Sequence, residues 1–430
     1  MAETALNAAL DLPCGAAIPN RIAKSAMTEG LADARGRPTP ELERLYGLWS
    51  DGGAGLLFSG NIQIDRDHLE RPGNVILDRA PDAEMRAALT SWAKAATRGG
   101  NHFWAQLAHA GRQTQAIVNP HPKAPSAIPL ALPGKQFGDP VALDGADIPI
   151  LIERFAMAAK ACKEAGFTGV QLHAAHGYLL SQFLNPNANQ RSDGWGGSLE
   201  NRARFLLRAF EAARAAVGSA FPISVKLNSA DFQRGGFAFE DSLQVARWLE
   251  EAGVDLIEIS GGSYEQPSMM GAGGATEGKQ PEPGSSTAAR EAYFVDFAKA
   301  MREKVSVPLM VTGGFRTRAA MEHALENGAA DLIGLARPMC YDPDAPKHIL
   351  EGGSELRRWE NELHLLPKPL RFLAAIPAVK PIAGFAVQFW YYGQLYALGR
   401  TGRTNPNLSV FRAYREVEAT HRALVEQREA

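Results

Sequence analysis

Cysteine is scarce in this chain: its 430 residues hold three, Cys14, Cys162 and Cys340, with no CxxC pair and no close spacing. That excludes a disulfide framework and a thiolate-bound metal, and it fits a reducing compartment, with the cytoplasm as the expected location. A basic run is missing too. Lys and Arg number 45 against 47 Asp and Glu, a formal charge of -2, so no row of cations could neutralise a phosphate backbone, and nucleic acid is not an expected partner. Met1 to Leu12 has no basic stretch followed by an apolar one and does not read as a secretion signal. One long uncharged run stands out for its aromatic content, Pro381 to Gly399. It contains Phe389-Trp390-Tyr391-Tyr392 and is flanked by Lys380, Arg400 and Arg403. Gln388, Gln394, Gly384 and Gly393 dilute it below the roughly 20 strongly apolar residues that a membrane span needs. Buried packing or a protein interface is the first reading of residues 381–399, and membrane contact the second.

With 45% hydrophobic and 21% charged residues the composition is that of a globular protein. Short apolar, β-branched runs alternate with helical patterns, the mark of repeated βα units and a parallel sheet. Eight strands are predicted: Ile22 to Met27, Ala54 to Gly60, His102 to Ala108, Thr168 to His173, Ile223 to Asn228, Val254 to Ser260, Val307 to Thr312 and Asp331 to Leu335. Helices are expected over Glu41 to Trp49 and Leu199 to Val217. Glycine ends several of them, as in Glu164-Ala165-Gly166 and Glu251-Ala252-Gly253. No Gly-x-Gly-x-x-Gly follows the first strand, which weakens an open dinucleotide-binding sheet. Eight units predict an α/β fold of the (β/α)8 TIM-barrel type over residues 1–352, with a C-terminal extension over 353–430 that is aromatic and then helical from Asn407 to Glu429. Two long loops, Gly111 to Asp147 and Gly261 to Ala289, leave strand C-termini and read as lids or substrate walls.

In such a barrel the loops after the strands converge on one site. Polar groups there are Met27-Thr28, Gly60, Gln106 with His109 and Arg112, His173 with His176 and Tyr178, Lys226 with Asn228, Gly313-Gly314, and Ala336-Arg337. Glycines after strand seven and an arginine after strand eight suit a phosphate, through backbone amides and a bidentate cation. Two imidazoles and a phenol within six residues suit hydrogen bonding to an oxyanion-like acceptor and proton donation. A metal on His173 and His176 lacks an acidic third ligand at a matching strand end, so none is expected. Lys226 suits either a Schiff base, as in a lyase of the aldolase type, or a fixed cation facing a cofactor.

These residues carry a resemblance. His173-Ala174-Ala175-His176-Gly177-Tyr178-Leu179, continuing through Gln182-Phe183-Leu184-Asn185-Pro186 to Arg191-Ser192-Asp193-Gly194-Trp195-Gly196-Gly197, resembles the old yellow enzyme family of FMN-dependent NAD(P)H oxidoreductases. Gln106-Leu107-Ala108-His109-Ala110-Gly111-Arg112 and Lys226-Leu227-Asn228 are family-like as well. The resemblance implies that Ala26, Met27 and Thr28 lie along the flavin, Thr28 near its O4/N5 edge. Gly60 and Gln106 would meet the pyrimidine side, and Lys226 the N1/O2 locus. Gly313, Gly314, Phe315, Ala336 and Arg337 would hold the phosphate. His173 and His176 would hold a substrate oxygen, and Tyr178 would supply a proton. The implied activity is ene-reduction of an α,β-unsaturated carbonyl or nitro compound with NADH or NADPH, with a related oxidation such as amine demethylation as the alternative.

Two departures bear on that transfer. Thr28 stands where one branch of the family has a cysteine, and Lys226 where many members have arginine. With Cys340 the last cysteine, a single-barrel member without an iron–sulfur cluster is implied. The extension is left unexplained. Its aromatic anchors and nearby arginines predict packing on the barrel and a homo-oligomer.

Overall fold

The computed structural model describes residues 5–130, 132, 136–231, 234–260, 297–366, 369, 371, 376 and 380–429, with the side chains of all of these but 380–385 and 429. The expected loop Gly261 to Ala289 lies outside the described residues. Eight strands form the barrel: β1 (Ile22–Lys24), β2 (Leu56–Gln63), β3 (His102–Ala108), β4 (Gly169–Ala174), β5 (Ile223–Asn228), β6 (Leu256–Ser260), β7 (Leu309–Thr312) and β8 (Leu332–Leu335). Neighbours pair in parallel around the ring, which closes where Ile333 partners Ile22. This is the predicted (β/α)8 barrel.

Local sequence explains the surrounding helices. In α1 (Pro40–Asp51), Thr39 accepts from the Leu42 amide, proline starts the first turn, and Glu41 and Glu43 face the positive end of the helix. Helices α2 (Ala83–Ala96), α3 (Asp147–Glu164), α4 (Leu199–Val217), α5 (Phe239–Glu251) and α6 (Arg318–Glu326) follow. Gly166, Gly218 and Gly253 take positive φ where the sequence placed helix stops.

Parity divides the barrel interior into layers. Ala23, Leu56, Phe58, Trp104, Leu256, Met310 and Leu332 point inward at the N-terminal end. An antiparallel pair, Leu10–Asp11 with Ala17–Ile18, covers that end and adds Leu10, Leu12 and Ile18 to the plug. At Gly169 any Cβ would sit 2.5 Å from the Trp104 ring, so the plug requires glycine there. One layer nearer the C-terminal ends the inward side chains turn polar: Ser25, Gln106, Gln171, Lys226, Glu258 and Thr312.

Some boundaries differ from the expected ones for physical reasons. β1 ends at Lys24, before Met27, because residues 26–28 leave the ladder at the barrel mouth. β2 runs on to Gln63 through a bulge between Phe58 and Asn61, next to Gly60. The long loop after β3 is not featureless: a 3-10 turn, Gly111–Gln113, precedes a small parallel pair, Lys123–Ala124 with Val141–Ala142.

The extension folds back on the barrel as two helices, α7 (Lys380–Thr401) and α8 (Val410–Glu429). Expected from Asn407, α8 starts three residues later because Asn405 Oδ1 accepts the Asn407 amide in an Asx turn. The uncharged run forms α7, which is apolar around its circumference because it packs on α1, on α8 and on the short helix Arg337–Tyr341. Gln394 exchanges two hydrogen bonds of 2.7 Å with the backbone of Asn405, which explains a glutamine in so apolar a helix. No described helix is long and apolar enough to cross a membrane. Trp390 is fully buried and donates to the Leu408 carbonyl at 2.9 Å, within an apolar core continuous with Tyr46, Trp49 and the barrel. Trp390→Ala is therefore expected to destabilise the chain by about 3–5 kcal/mol and to do so in one cooperative transition. Chemical denaturation followed by circular dichroism would show this, and a separate early transition would contradict it.

Candidate active site

The barrel mouth gathers most of the residues that the sequence singled out. Ala26, Met27 and Thr28 are partly exposed between buried Ser25 and Glu29, so this stretch lines open space. His173 and Lys226 are register partners on β4 and β5, and Lys226 is in turn opposite Glu258 on β6. All three are buried. Lys226 Nζ donates to Glu258 Oε1 at 2.7 Å, Thr312 donates to the same oxygen at 2.7 Å, and Gln171 donates to Oε2 at 2.9 Å. Gln171 Oε1 accepts from Gln106 at 2.6 Å, and Ser25 lies 2.9 Å from Thr312. Since the Thr312 hydrogen is spent on Glu258, Ser25 donates to Thr312.

Sequence reasoning missed Glu258 and Gln171, although a signal existed. A carboxylate inside an apolar strand requires a cationic partner, and strand parity places it opposite Lys226. It also missed Asn61, on the bulged part of β2. Asn61 Nδ2 donates to Thr28 Oγ1 at 3.3 Å and to the Tyr178 hydroxyl at 3.4 Å, and its buried Oδ1 has no hydrogen-bond partner among the described residues. Gly60 is required beside it, because a Cβ would lie 2.2 Å from Glu29 Oε2 and 2.5 Å from the Met27 carbonyl. Behind Gly60, Glu29, Tyr46 and Lys24 form a buried hydrogen-bonded cluster in which burial lowers Lys24 to about 8.

After β4 the three ring side chains meet. His173 lies 4.7 Å from Tyr178 and 5.1 Å from His176, in edge-to-face arrangements. His173 Nδ1 accepts from the Ala175 amide at 3.2 Å, which leaves the proton on Nε2. His176 adopts φ of +61°, a conformation uncommon outside glycine. It is held there from three sides: its amide donates to Asn228, its carbonyl accepts from Gln113, and Nε2 lies 2.5 Å from Ser260 Oγ. Burial pushes both imidazoles well below their ordinary pKa, reinforced for His173 by His176 and then Lys226 and for His176 by Lys226, so both are neutral donors at physiological pH.

The opposite side of the mouth has a different character. Gly313 and Gly314 follow β7 with φ of +136° and +82°. Arg337, half-buried at the start of a short helix after β8, makes no hydrogen bond or ion pair among the described residues. The Phe315 side chain is buried in the core, so only its backbone can face a ligand. Ala336 caps that helix. His109 and Arg112 do not join the mouth: His109 stacks on His68 at 4.4 Å, and Arg112 reaches the Ile128 carbonyl.

Asp65, His68 and His109 have the convergence of a metal site. Their tautomers argue against one. His68 Nε2 accepts from the Lys123 amide and His109 Nδ1 from the Gly111 amide, so both protons lie on the inward nitrogens, where a metal needs lone pairs. Asp65 instead pairs with Arg154 at 2.7 Å.

Residues 15–355 match the model of the NADH:flavin oxidoreductase / NADH oxidase family. The chain belongs to this FMN-dependent family. It is 38% identical over 368 residues to an NADH-dependent flavin oxidoreductase of Hypocrea jecorina, a match covering 81% of this chain and 90% of the relative. A second NADH-dependent flavin oxidoreductase, from Talaromyces variabilis, is 34% identical and aligned over 94% of this chain and its own full length. That leaves about 26 residues of this chain unaligned, fewer than lie beyond residue 355, so the likeness runs into the extension. Among solved structures, an old yellow enzyme homologue from Zymomonas mobilis superimposes with a TM-score of 0.67 at 26% identity, over 84% of this chain and 97% of that one. The residues at the mouth fit FMN. Positive-φ glycines after β7 and a half-buried arginine after β8 suit a phosphate, while the partly exposed Ala26–Thr28, the unmatched Asn61 oxygen and the buried Lys226 cation suit a ring with polar edges.

The buried imidazoles give the fold a pH dependence. His109, His173, His176 and His421 are all lowered by burial, His421 to about 4. The unfolded chain takes up these protons near the ordinary pKa of about 6.5 while the native state refuses them, so acidification favours unfolding. Stability should be fully present above about pH 6.5 and fall below it, by about 1.4 kcal/mol per pH unit for each such histidine until its native pKa is reached. Unfolding midpoints measured between pH 8 and pH 5 check this, and a midpoint that holds steady or rises on acidification would contradict it.

Proposed function

We propose that this FMN oxidoreductase is an ene-reductase that uses NADH to saturate an alkene activated by a carbonyl or nitro group. The observation that carries the reading is the grouping of two neutral imidazoles and a phenol after β4, beside the Lys226 cation. Bound FMN would supply the two-electron relay between NADH and the alkene; the NADH dependence of the named relatives supports that choice of reductant. Gly313, Gly314, the Phe315 backbone, Ala336 and Arg337 would hold its phosphate. Ala26, Met27, Thr28, Gly60 and Gln106 would line its ring, with Lys226 near N1/O2.

The chain's own groups then have distinct tasks. The Nε2 proton of His173, with His176 beside it, holds the substrate oxygen and draws electron density from the β-carbon, a hydrogen bond that strengthens as enolate charge develops. Tyr178 delivers a proton to the α-carbon. Asn61 donates to the Tyr178 oxygen and so fixes the phenol relative to Thr28. Lys226 is poorly placed as a Schiff-base nucleophile, because its Nζ is buried and committed to the Glu258 carboxylate at 2.7 Å on the neighbouring strand.

Tyr178→Phe should leave flavin reduction by NADH near the wild-type rate and slow reoxidation by an enone roughly 10² to 10⁴ fold, the worth of a positioned acid. Stopped-flow measurement of the two half-reactions separates them, and equal slowing of both would sink the assignment. Arg337→Ala should weaken flavin retention with the fold intact, since one bidentate phosphate partner is lost. Full flavin occupancy after dialysis would count against the phosphate site.

A further inference from the structure

One phosphate can be held from two loops only if something fixes those loops relative to each other: here the glycine turn after β7 and the arginine that opens the short helix after β8. Gly313 and Gly314 sit at φ of +136° and +82°. Glycine has more conformational freedom than any other residue, so the shape of this turn depends on what anchors its two ends. On the entry side Thr312 donates to Glu258 at 2.7 Å. On the exit side the partners come from the extension. The Leu356 amide donates to the Arg316 carbonyl at 2.7 Å and the Arg318 amide to the Ser354 carbonyl at 2.9 Å, with Thr317 and Glu355 bridged antiparallel between them.

Arg316 is the centre of that exit anchor. It is buried, its Nη1 donates to the Phe315 carbonyl at 2.9 Å, and its Nη2 donates to Glu360 Oε1 at 2.9 Å. Burial opposes the Glu360 charge, yet Arg316, ahead of its other partners, holds the carboxyl below its ordinary range. Glu360 lies on a 3-10 turn, Trp359–Asn361, seated on α7: the Trp359 ring is 5.1 Å from Trp390, and the Tyr391 hydroxyl donates to Glu360 Oε2 at 3.4 Å. The same aromatic group reaches the other loop. Tyr341, in the helix that Arg337 opens, lies 6.3 Å from Trp359 and 6.4 Å from Trp390, and its hydroxyl donates to the Arg357 carbonyl. Glu360, Trp390 and Tyr391 all lie beyond residue 355, where the match to the family model ends.

We propose that residues 354–360, seated on α7, are a clasp that fixes both halves of the phosphate cradle, with Glu360 and Arg316 as its positioning residues. The inference rests on the phosphate site proposed above and gives the extension a task in flavin binding. Arg316 acts on the glycine turn through the Phe315 carbonyl, and Glu360 holds Arg316 in place for it. A cradle already held in its bound shape has less ordering left to do when the ligand arrives. Loosening the clasp therefore lowers affinity for a flavin that carries a phosphate and spares one that does not.

The test compares FMN with riboflavin, which has the same ring and no phosphate, each titrated by fluorescence quenching into the full chain after its flavin has been removed. Two changes leave the local net charge as it is. Glu360→Asp keeps the carboxylate but withdraws it by one methylene, and should weaken FMN binding severalfold. Arg316→Met combined with Glu360→Gln removes one charge of each sign together with the Phe315 contact, and should weaken FMN binding about tenfold, the worth of one hydrogen bond. Riboflavin should bind both variants as it binds the wild type. Glu360→Asp carries the test if the double variant does not fold. Equal losses for FMN and riboflavin would make the pair a purely structural one and overturn the proposal. Arg337→Ala locates a failure: if it lowers the preference for FMN over riboflavin while the clasp variants do not, only the clasp is wrong. If Arg337→Ala leaves that preference unchanged as well, the phosphate placement falls and the proposal with it.

Discussion

A charge enclosed in a barrel must find its counter-charge inside the barrel, and much of this site follows from that constraint. Lys226 and Glu258 sit on adjacent strands in direct register, both buried. A lone ion there would cost several kcal/mol, so the pair is viable only when its remaining hydrogen-bonding capacity is filled. Gln171 and Thr312 fill it, and they in turn fix Gln106 and Ser25. Five of the eight strands contribute to that one layer, and Ser25 adds the stretch just after β1. The carboxylate also changes what a ligand in the mouth meets. Lys226 presents a cation already partly neutralised, in contrast to an unpaired arginine, so its pull on a developing negative charge is moderated by a partner that strand register supplies.

The same economy operates after β4. His176 pays for a left-handed backbone with contacts from Asn228, Ser260 and Gln113, which come from β5, β6 and the loop after β3. That backbone turns the ring back toward His173 and lets Gly177 carry the chain on to Tyr178. Burial keeps both imidazoles neutral, and the nearby lysine reinforces it. The polar layer below and the ring cluster above are thus coupled: Lys226 is a register partner of His173 and helps set its protonation.

How much of this the sequence reveals depends on how local the cause is. Eight apolar runs separated by helices show the barrel, because strands covered on both faces carry their own signature. Residues at the ends of those runs are legible for the same reason: topology brings every strand terminus to one face wherever it lies in the chain. Glu258 is legible by parity, as an acid at an inward position opposite a lysine. Asn61 is not, since a bulge at Gly60 shifts the register by which it would have been counted. The contact of Arg71 with Tyr392 is not either, for it joins a loop to a helix more than 300 residues further along. The uncharged run at 381–399 reads from composition first as core or interface and second as membrane contact, and it is its neighbours α1 and α8 that seat it in the core.

Those neighbours also explain why a closed barrel gains from two more helices. A barrel satisfies its own strands, and its helices cover the outer faces, so closure alone leaves no apolar surface that demands a cap. Here α1 presents a second apolar flank, and α7 occupies it with Trp390 and Tyr396 buried to 1% exposure. Once α7 is seated, its aromatic face lies along the loops that leave β1 and β2. Tyr391 then reaches toward Glu360, which holds Arg316 just beyond the glycines after β7, while the Tyr392 ring lies against the Arg71 guanidinium in the loop after β2. One helix thereby touches the residues behind both ends of the mouth. A segment added for packing on α1 is, by the geometry of a barrel whose loops all converge, also a segment able to steady the loops on which the site depends.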